Sequence, residues 1–392
     1  MPVAQHFFSP CPRGLEPALV AELASLGAQD IVPAHGGVGF IGPFELCYRI
    51  NLESRLASRV LWLISAGRYR DEDDLYRSAL GLPWARWFSS SRTIKVKVSA
   101  RQCPLKSLEF VTLRLKDAVC DGFLAMSGRR PSIDTRTPDI QVHAYLDQER
   151  FTLYLDTSGE PLFKRGFRHA TMEAPLRENL AAGILSLAGW TPQQTLLDPM
   201  CGGGTILVEA ALMAKGVAPG INRPFAFQHL SQFDSRRWRR ICEDSRAQAT
   251  GEPPSGIYGY DRVHASVLAA RANLKAAGVG DTVTVTQADV LDISAPAEQG
   301  ILIANPPYGV RTGEAESLAR FYPRLGDALK QRFAGWRAYL FTADPRLSDL
   351  IGLRPSRRVP LYNGALECRL FEFKIVRGGM RRAKLRISSK TE

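Results

Sequence analysis

The segment at residues 195–205 (Thr-Leu-Leu-Asp-Pro-Met-Cys-Gly-Gly-Gly-Thr) constrains the fold more than any other part of the chain. Its apolar beginning predicts a buried strand, its three glycines predict a turn that a ligand can approach closely, and Thr205 opens a helix. This order is typical of α/β proteins, which bind ligands at the carboxyl ends of their strands. No Gly-Lys-Ser or Gly-Lys-Thr follows, and the glycine spacing does not match the dinucleotide fingerprint, so neither a phosphate loop nor a dinucleotide site is expected.

Two more short strands end in an acid. Residues 257–261 (Ile-Tyr-Gly-Tyr-Asp) place Asp261 where doubly wound folds hold a ribose-binding carboxylate. Residues 283–289 alternate as a strand and end at Asp289, which can accept a hydrogen bond from an adenine amino group. A single strand-end Asp is more often a helix cap or a solvated loop residue. Three such acids in succession, counting Asp198, instead favour a nucleoside-binding edge.

A rigid polar turn, Asn-Pro-Pro-Tyr-Gly at 305–309, follows an apolar strand at 301–304. The lone pair of an exocyclic amine on a base is delocalised into the ring and attacks carbon poorly, so a site that uses this nitrogen as a nucleophile has to localise it. The Asn305 side-chain oxygen and the Pro306 carbonyl can each accept one N–H bond, and Tyr308 offers a face for stacking. The two prolines hold these acceptors in place. An ordinary strand-ending turn has the same composition, but the acids upstream favour the catalytic interpretation.

The order of these motifs resembles that of the S-adenosylmethionine-dependent amino-methyltransferases of the Rossmann-like class, which act on adenine N6 or guanine N2. The resemblance covers residues 165 to about 377 and implies an α/β fold with a seven-stranded Rossmann-like sheet. It implies that Asp198 and the turn at 202–204 contact the methionine part of S-adenosyl-L-methionine, Asp261 its ribose and Asp289 its adenine. The cofactor-binding residues expected on this basis are Asp198, Met200, Gly202, Gly204, Thr205, Asp261, Arg262, Asp289 and Val290, and the catalytic residues are Asn305, Pro306, Pro307 and Tyr308.

The part of the chain before residue 164 carries no cofactor signature. Residues 1–65 resemble the ferredoxin-like lead domain of THUMP-containing RNA methyltransferases, through the opening Pro-Arg-Gly-Leu-Glu stretch at 12–16. Residues 66–160 resemble the THUMP domain itself, an RNA-binding α+β module. The Rossmann-like methyltransferase domain is then expected at 165–380, followed by a basic tail at 381–392.

Secondary structure in the front half is predicted from periodicity. A strand, a turn and an amphipathic helix are expected within residues 6–23. In the THUMP-like part we expect a strand at 93–99 and a helix at 108–123. Strands at 140–146 and 150–156, joined by a tight turn, would close this part.

The formal net charge of +12 indicates an acidic partner, and basic clusters such as residues 164–168 and 236–240 include aromatic residues. Polyanionic RNA fits such clusters, although any single run can also be an ordinary solvated face. The residues expected to contact RNA phosphates are Lys95, Lys97, Arg101, Lys106, Arg129, Arg130, Lys164, Arg165 and Arg168.

The seven cysteines are scattered, with no Cys-x-x-Cys pair and no close histidine partner. We therefore expect neither a metal site nor a disulfide framework. Cys201 lies inside the glycine turn, but no base is identifiable for it, and we interpret it as a packing residue. No stretch is apolar and long enough to cross a bilayer, and the amino terminus lacks a secretion signal, so a cytoplasmic protein with no membrane partner is expected.

Residues 165–169 and 174–182 resemble the lead-in segment and first helix of RNA guanine-N2 enzymes. We therefore expect an RNA guanine-N2 methyltransferase, similar to the large-subunit ribosomal RNA methyltransferases of the RlmL type, whose target is a guanine of 23S rRNA. Direct methyl transfer to the exocyclic nitrogen is expected. Long family members carry a second methyltransferase domain, whereas this chain ends soon after its sheet, so that activity would come from another protein. A tRNA guanine is the alternative substrate, and DNA adenine N6 methylation and a non-catalytic RNA-binding assembly role are rivals; the oligomeric state is left open.

Overall fold

Two seven-stranded β-sheets organise the chain in a computed structural model that describes residues 4–168, 176–249, 254–306 and 314–376. The strands of the first sheet are β1 (Gln5–Pro10), β2 (Gln29–Ala34), β3 (Gly37–Gly42), β4 (Leu61–Arg68), β5 (Ile94–Ala100), β6 (Ile140–Leu146) and β7 (Arg150–Asp156). The strands of the second sheet are β8 (Leu196–Asp198), β9 (Ile257–Asp261), β10 (Val283–Gln287), β11 (Ile301–Ala304), β12 (Arg337–Thr342), β13 (Arg357–Asn363) and β14 (Leu366–Lys374). The helices are α1 (Glu16–Ser25), α2 (Leu46–Glu53), α3 (Glu72–Leu80), α4 (Leu108–Ser127), α5 (Glu178–Leu187), α6 (Thr205–Ala214), α7 (Ser235–Gln248), α8 (His264–Ala276), α9 (Glu314–Arg332) and α10 (Leu347–Leu350).

The first sheet has the strand order β2-β3-β1-β4-β7-β6-β5, and its neighbours are antiparallel except for the parallel pair of β5 and β6. Strand β4 pairs with β1 on one side and with β7 on the other. The ferredoxin-like and THUMP-like parts therefore share one continuous sheet, and the boundary expected at residue 65 falls inside β4. Sequence analysis does not predict β2, because this strand is mostly exposed and contains Pro33.

Helices cover one face of this sheet. Alternate residues of β5, Ile94 and Val96, are buried on the face against which α4 packs. Helix α4 begins where the Ser107 hydroxyl accepts a hydrogen bond from the Phe110 N–H at 3.1 Å, and it ends at Gly128, whose φ of 68° is left-handed. The helix predicted at 108–123 thus continues for one more turn.

The second sheet has the order β10-β9-β8-β11-β12-β14-β13. Strands β10, β9, β8, β11 and β12 are parallel neighbours, whereas β14 is antiparallel to both β12 and β13. This arrangement confirms the expected α/β fold with a seven-stranded Rossmann-like sheet, which β13 and β14 close as an antiparallel hairpin. The carboxyl ends of β8 to β11 consequently meet at one edge of the sheet.

An aromatic cluster joins the two halves of the chain. The ring of Tyr48 in α2 stacks on that of Phe227, with centroids 4.5 Å apart, and Trp238 of α7 lies 5.1 Å from Phe227. The Tyr48 hydroxyl also accepts a hydrogen bond from the Asp234 N–H at 3.0 Å. Aromatic pairs of this kind contribute about 0.5–1.5 kcal/mol each beyond the burial of their area. The segment that follows α6 is therefore packed firmly on the front half.

Candidate active site

The carboxyl edge of the second sheet brings the predicted site residues side by side. Asp198 ends β8 and Asp261 ends β9, Asn305 follows β11 directly, and Asp289 lies two residues beyond β10. Their strands are consecutive neighbours in the sheet, in the order β10-β9-β8-β11. Since neighbouring strands lie about 4.8 Å apart, these residues line an edge of about 15 Å.

The glycine turn after β8 is braced against β9. The Gly202 N–H donates to Asp261 Oδ2 at 2.9 Å, and the Cys201 N–H donates to the Tyr260 carbonyl at 2.9 Å. Gly202 has a φ of 51° and Gly204 a φ of 76°, left-handed values that glycine adopts without strain. The backbone conformation of the turn thus favours glycine at two of the three positions, Gly202 and Gly204.

Helix α8 supports the same turn from the other side. Asn273 Nδ2 donates to the Gly203 carbonyl at 2.9 Å, and a Cβ atom on Gly204 would lie 3.0 Å from Ala270 Cβ. This close approach explains why glycine precedes α6 at a position where serine, threonine or aspartate is usual. Sequence analysis missed Asn273. The feature that could have revealed it is an asparagine within a helix of mostly small and apolar residues, and the structure shows that its side chain is buried.

Asp198 is a buried carboxyl group, 2 % exposed, at the bottom of this edge. Its Oδ1 atom accepts a hydrogen bond from the Met200 N–H at 3.2 Å. Burial, and to a smaller extent the charge of Asp261, raise the pKa of Asp198 to about 8. Among the described residues no cation forms an ion pair with Asp198, so a positively charged ligand group would stabilise its ionised form.

Asp261 and Asp289 each hold the backbone that follows their strand. Asp261 Oδ1 accepts a hydrogen bond from the Val263 N–H at 2.9 Å, and Asp289 Oδ1 accepts one from the Leu291 N–H at 2.9 Å. A carboxylate offers about four acceptor positions, so both groups retain capacity for a ligand hydroxyl or amino group.

The other predicted cofactor residues lie in different environments. Arg262 is exposed, and its carbonyl accepts a hydrogen bond from Gln287 Nε2 at 3.1 Å. Met200 is half-buried and Val290 is buried, both in the hydrophobic core beneath the sheet edge. The Val290 side chain therefore packs in this core.

Arg168 ties the lead-in segment to the start of α6. Its Nη2 atom donates to the Leu176 carbonyl at 2.9 Å and to Thr205 Oγ1 at 3.3 Å, and it pairs with Glu178 Oε1 at 2.9 Å. Burial raises the pKa of Glu178, and the charge of Arg168 opposes that shift. This geometry corrects the prediction that Arg168 contacts an RNA phosphate, because its guanidinium is held between Glu178 and the start of α6. Sequence analysis also missed Glu178 as its partner.

Arg165 requires the same correction. Its side chain is 2 % exposed, and its Nε atom lies 3.2 Å from Oε1 of the fully buried Glu209 of α6. Its Nη1 and Nη2 atoms donate to backbone carbonyls at 2.7 Å, one of them that of Arg55 in the front half. An RNA phosphate cannot reach this group, which instead neutralises a buried carboxylate. The adjacent Lys164 remains exposed and pairs with Glu160.

The RNA-binding residues predicted in the front half lie at or near its surface. Lys95 and Lys97 point to the same side of β5, and Lys95 Nζ donates to the Thr135 carbonyl at 2.8 Å. Arg130 pairs with Asp121. The remaining members are exposed: Arg101, Lys106 and Arg129. RNA contact by all of these residues stays a prediction.

Asn305 presents a buried acceptor to the edge of the sheet. Its Oδ1 atom is buried, and no residue in the described part of the chain donates a hydrogen bond to it. Pro306, which supplies the second predicted acceptor, is also buried, whereas Pro307 and Tyr308 lie outside the described residues. A buried oxygen of this kind costs about 1–3 kcal/mol unless a donor meets it. A ligand N–H group is such a donor.

Burial, and then the charge of Asp198, raise the pKa of the Cys201 thiol, which fits its interpretation as a packing residue. In the ranges that the structure describes, no group of three or more His, Cys, Asp or Glu could hold a metal ion. The same residues include no helix with the length and apolar character needed to cross a membrane.

Three family models match the chain in the order expected from the sequence. The RlmL ferredoxin-like domain matches residues 6–61, the THUMP domain matches residues 69–156, and the RMKL-like methyltransferase domain matches residues 165–372.

Two curated proteins illustrate the similarity. A candidate RNA methyltransferase of Synechocystis, slr0064, is 39 % identical over 94 % of this chain and 96 % of its own length. The ribosomal RNA large subunit methyltransferase K/L of Syntrophotalea carbinolica is 40 % identical over 94 % of this chain and 53 % of its own length. The chain thus spans about half the length of the K/L relatives that it matches.

Solved structures show the same architecture over nearly the whole chain. SMU.472, a candidate methyltransferase crystallised with SAH, is 27 % identical with a TM-score of 0.87 over 97 % of this chain and 100 % of its own. A protein of Listeria monocytogenes described as a predicted N6-adenine-specific DNA methylase is 28 % identical with a TM-score of 0.86, over 95 % of this chain and 97 % of its own. With an RlmL ferredoxin-like domain and a THUMP domain ahead of its catalytic sheet, the chain belongs to the RMKL-like methyltransferase family.

Proposed function

We propose that this protein transfers a methyl group from S-adenosyl-L-methionine to the exocyclic N2 amine of a guanine in RNA, with 23S rRNA as the substrate. The observation that carries the proposal is the buried Oδ1 atom of Asn305 after β11, which accepts no hydrogen bond from the described residues. The THUMP domain, the net charge of +12 and the names of the relatives support RNA as the substrate class. The cytoplasm is the compartment in which such a substrate is found.

The residues at the sheet edge fit the proposed cofactor. The buried Asp198 carboxyl suits the ammonium group of its methionine part, Asp261 its ribose hydroxyls and Asp289 its adenine amino group. The glycine turn leaves the backbone free of side chains at the point of closest approach. SMU.472 was crystallised with SAH, which supports the assignment. The cofactor supplies an electrophilic methyl group.

The task of the Asn305 turn is to make the amine nucleophilic. Asn305 Oδ1 and the Pro306 carbonyl accept its two N–H bonds, which concentrates the lone pair on nitrogen and aims it at the methyl carbon. With the cofactor bound, the bond from this nitrogen to the methyl carbon would form as the bond from that carbon to the cofactor sulfur breaks, so that S-adenosylhomocysteine leaves and no covalent enzyme intermediate forms. The positively charged nitrogen would then give up one of its two protons to water. Cys201 takes no part in this step, because its raised thiol pKa keeps it protonated.

Adenine N6 is an exocyclic amine too, so this turn does not by itself distinguish it from guanine N2. The Listeria structure described as a predicted N6-adenine-specific DNA methylase keeps DNA as a second candidate substrate. We favour RNA because the front half matches the THUMP domain. A tRNA guanine would use the same chemistry on another RNA.

The test measures tritiated methyl transfer to unmodified 23S rRNA, bulk tRNA and duplex DNA, followed by nucleoside mass spectrometry. N2-methylguanosine in 23S rRNA is the expected product. The same nucleoside in tRNA alone would overturn the rRNA assignment, and N6-methyl-2′-deoxyadenosine in DNA would overturn the RNA assignment.

The change Asn305→Ala should lower transfer at least 100-fold with RNA binding retained, because it removes a contact made only at the reacting amine. The control Asn363→Ala alters an asparagine at the end of β13, outside the site, and should leave the rate unchanged. Retained activity in Asn305→Ala would contradict the proposed role.

A further inference from the structure

Strand β12 ends beside the Asn305 turn, on the side away from the residues assigned to the cofactor. Those residues follow β8, β9 and β10, whereas β12 is the next strand beyond β11 in the sheet. Strands β11 and β12 are parallel, and their register places Thr342 beside Pro306, one strand spacing of about 4.8 Å away. With the cofactor over β8 to β10, a base whose amine meets Asn305 extends over the end of β12.

A fixed arginine lies just past this strand end. Asp344 is 8 % exposed, and both of its carboxylate oxygens hold Arg346: Nε donates to Oδ1 at 3.0 Å and Nη2 donates to Oδ2 at 2.8 Å. The backbone is fixed as well, since the Asp344 N–H donates to Thr342 Oγ1 at 2.9 Å and the Arg346 N–H donates to Asp344 Oδ1 at 2.9 Å. Two parallel bonds to one carboxylate set the orientation of the guanidinium plane.

The second edge of this guanidinium is available to a ligand. The edge formed by Nε and Nη2 faces Asp344, so the edge formed by Nη1 and Nη2 points another way. Within the described ranges no acceptor is bonded to Nη1 of Arg346, and the side chain is 49 % exposed. A guanidinium has only donors and no acceptor. Arg346 therefore presents two parallel N–H donors to a ligand that has two neighbouring acceptors.

A buried hydroxyl at the same strand end has no partner. Tyr322 of α9 is fully buried, and Thr342 and Asp344 lie near its hydroxyl, but no described residue forms a hydrogen bond of normal geometry with it. Burial, and then the charge of Asp344, raise the pKa of Tyr322 to about 12, so the hydroxyl keeps its proton. The buried Asn305 Oδ1 atom follows the adjoining strand. Two buried polar atoms without partners at neighbouring strand ends indicate that a polar ligand binds across β11 and β12.

Guanine has the base edge that fits the Arg346 donors. Its O6 and N7 atoms are two neighbouring acceptors, whereas adenine carries an amino donor in place of O6. Arginine bound to O6 and N7 through both donors is the commonest base-specific contact of proteins with DNA. The N2 amine lies on another side of the base, just as Asn305 and Arg346 lie at the ends of different strands.

We propose that Arg346, held by Asp344, recognises O6 and N7 of the target guanine while Asn305 Oδ1 accepts a hydrogen bond from its N2 amine. This inference rests on the proposed function and deepens it. The Asn305 turn alone does not distinguish guanine from adenine, and the inference assigns that choice to the end of β12.

The experiment compares guanine with 7-deazaguanine, which keeps the N2 amine but lacks N7, at the methylated position of the RNA. Mass spectrometry of the wild-type product locates this position, and RNAs with either base there are assembled by ligation. For wild type, kcat/KM should be at least roughly 5-fold lower with 7-deazaguanine than with guanine. In Arg346→Leu, kcat/KM with guanine should fall roughly 5- to 150-fold, and the ratio between the two bases should approach one.

Two further variants sharpen the comparison. Arg346→Lys keeps a charge that could contact a phosphate but not the paired donors, so it should lose the ratio as well. Arg354→Leu is the matched control and should keep the wild-type ratio. Arg354 is exposed and precedes β13, which runs parallel to β12, so it lies toward the opposite edge of the sheet.

An unchanged ratio in Arg346→Leu would overturn the proposal, and a lower rate with both bases at that ratio would assign Arg346 to a phosphate. The ratio is measured on one preparation of each variant, so a loss of stability cancels. Methylation of guanine N2 by wild type together with an unchanged ratio would overturn this inference alone. If wild type methylates no guanine, the proposed function fails, and the role of Arg346 falls with it.

Discussion

Replacing Asp198 by asparagine should remove the pH dependence that a buried carboxyl group gives the ligand-free protein. The pKa of Asp198 is raised to about 8 in the folded state, mainly by burial, against about 3.9 in an unfolded chain. The folded state therefore holds a proton that the unfolded state releases, and stability is lost as the pH rises from about 4 to about 8. The slope is about 1.4 kcal/mol per pH unit, or roughly 5 kcal/mol over that range. The asparagine side chain has no such proton, so the Asp198→Asn variant gains relative stability by this amount.

Urea unfolding of both proteins at several values between about pH 4 and pH 9 measures this difference, and subtraction cancels the titration of all other groups. Near pH 4 the two free energies of unfolding should be similar, because the free-energy difference that the carboxyl proton causes is then small and a protonated carboxyl resembles an amide. A difference that does not change with pH would refute the reasoning, since it would mean that the Asp198 carboxyl is ionised throughout. Calorimetry of S-adenosylhomocysteine binding at pH 7 in two buffers should then show proton release by wild type only, because the raised pKa of Asp198 keeps the carboxyl mostly protonated in the ligand-free protein.

Two further predictions concern the supports of the site. Gly204→Ala should lower the free energy of unfolding by about 2 kcal/mol, because the new residue would have a left-handed φ and a Cβ atom 3.0 Å from Ala270 Cβ. Gly202→Ala should lower it by about 1 kcal/mol, because that position has a left-handed φ but no crowding. Equal losses in urea unfolding would show that the neighbours of residue 204 shift to relieve the crowding. Arg165→Met should lower the free energy of unfolding by about 3 kcal/mol, because it leaves the buried Glu209 with only the more distant Arg55 as a cation. Lys164→Met on the surface should change the free energy of unfolding by less than about 0.5 kcal/mol. Similar values for the two variants would contradict the assignment of Arg165 to the interior.

The parts of the fold that were predictable from the sequence are those in which local residues fix the backbone. The strand, glycine turn and helix at 195–205 were predictable because the turn has φ values of 51° and 76°, which favour glycine, and the glycines are visible in the sequence. Strand β2 was missed because pairing with β3, and not burial of its own side chains, holds it in place. Arg165 was assigned to RNA because its basic neighbours suggest a surface, whereas its partner Glu209 lies 44 residues further along the chain.

The candidate site likewise has parts that the sequence predicts and parts that it does not. The order of the acids along the sheet edge followed from their positions at strand ends, which parallel pairing then brings together. The clamp between Arg168 and Glu178 could not be predicted, because it depends on how the lead-in segment folds over α6. The chemistry assigned to Asn305 remains a proposal, and its buried oxygen is the structural observation in its favour.

Strand β4 makes the order of synthesis matter for this protein. It pairs on one side with β1, which precedes it in the chain, and on the other side with β7, which follows it. Leu61 therefore cannot pair with its partner Asp156 until β7 has been synthesised. A nascent chain that has exposed β4 therefore displays an unpaired strand edge until about 90 more residues have left the ribosome, which takes roughly 5–20 s. Such an edge is a template for wrong pairing with other chains. The front half consequently reaches its native sheet late, as one cooperative unit, and a fragment that stops at residue 65 would keep that edge open and aggregate.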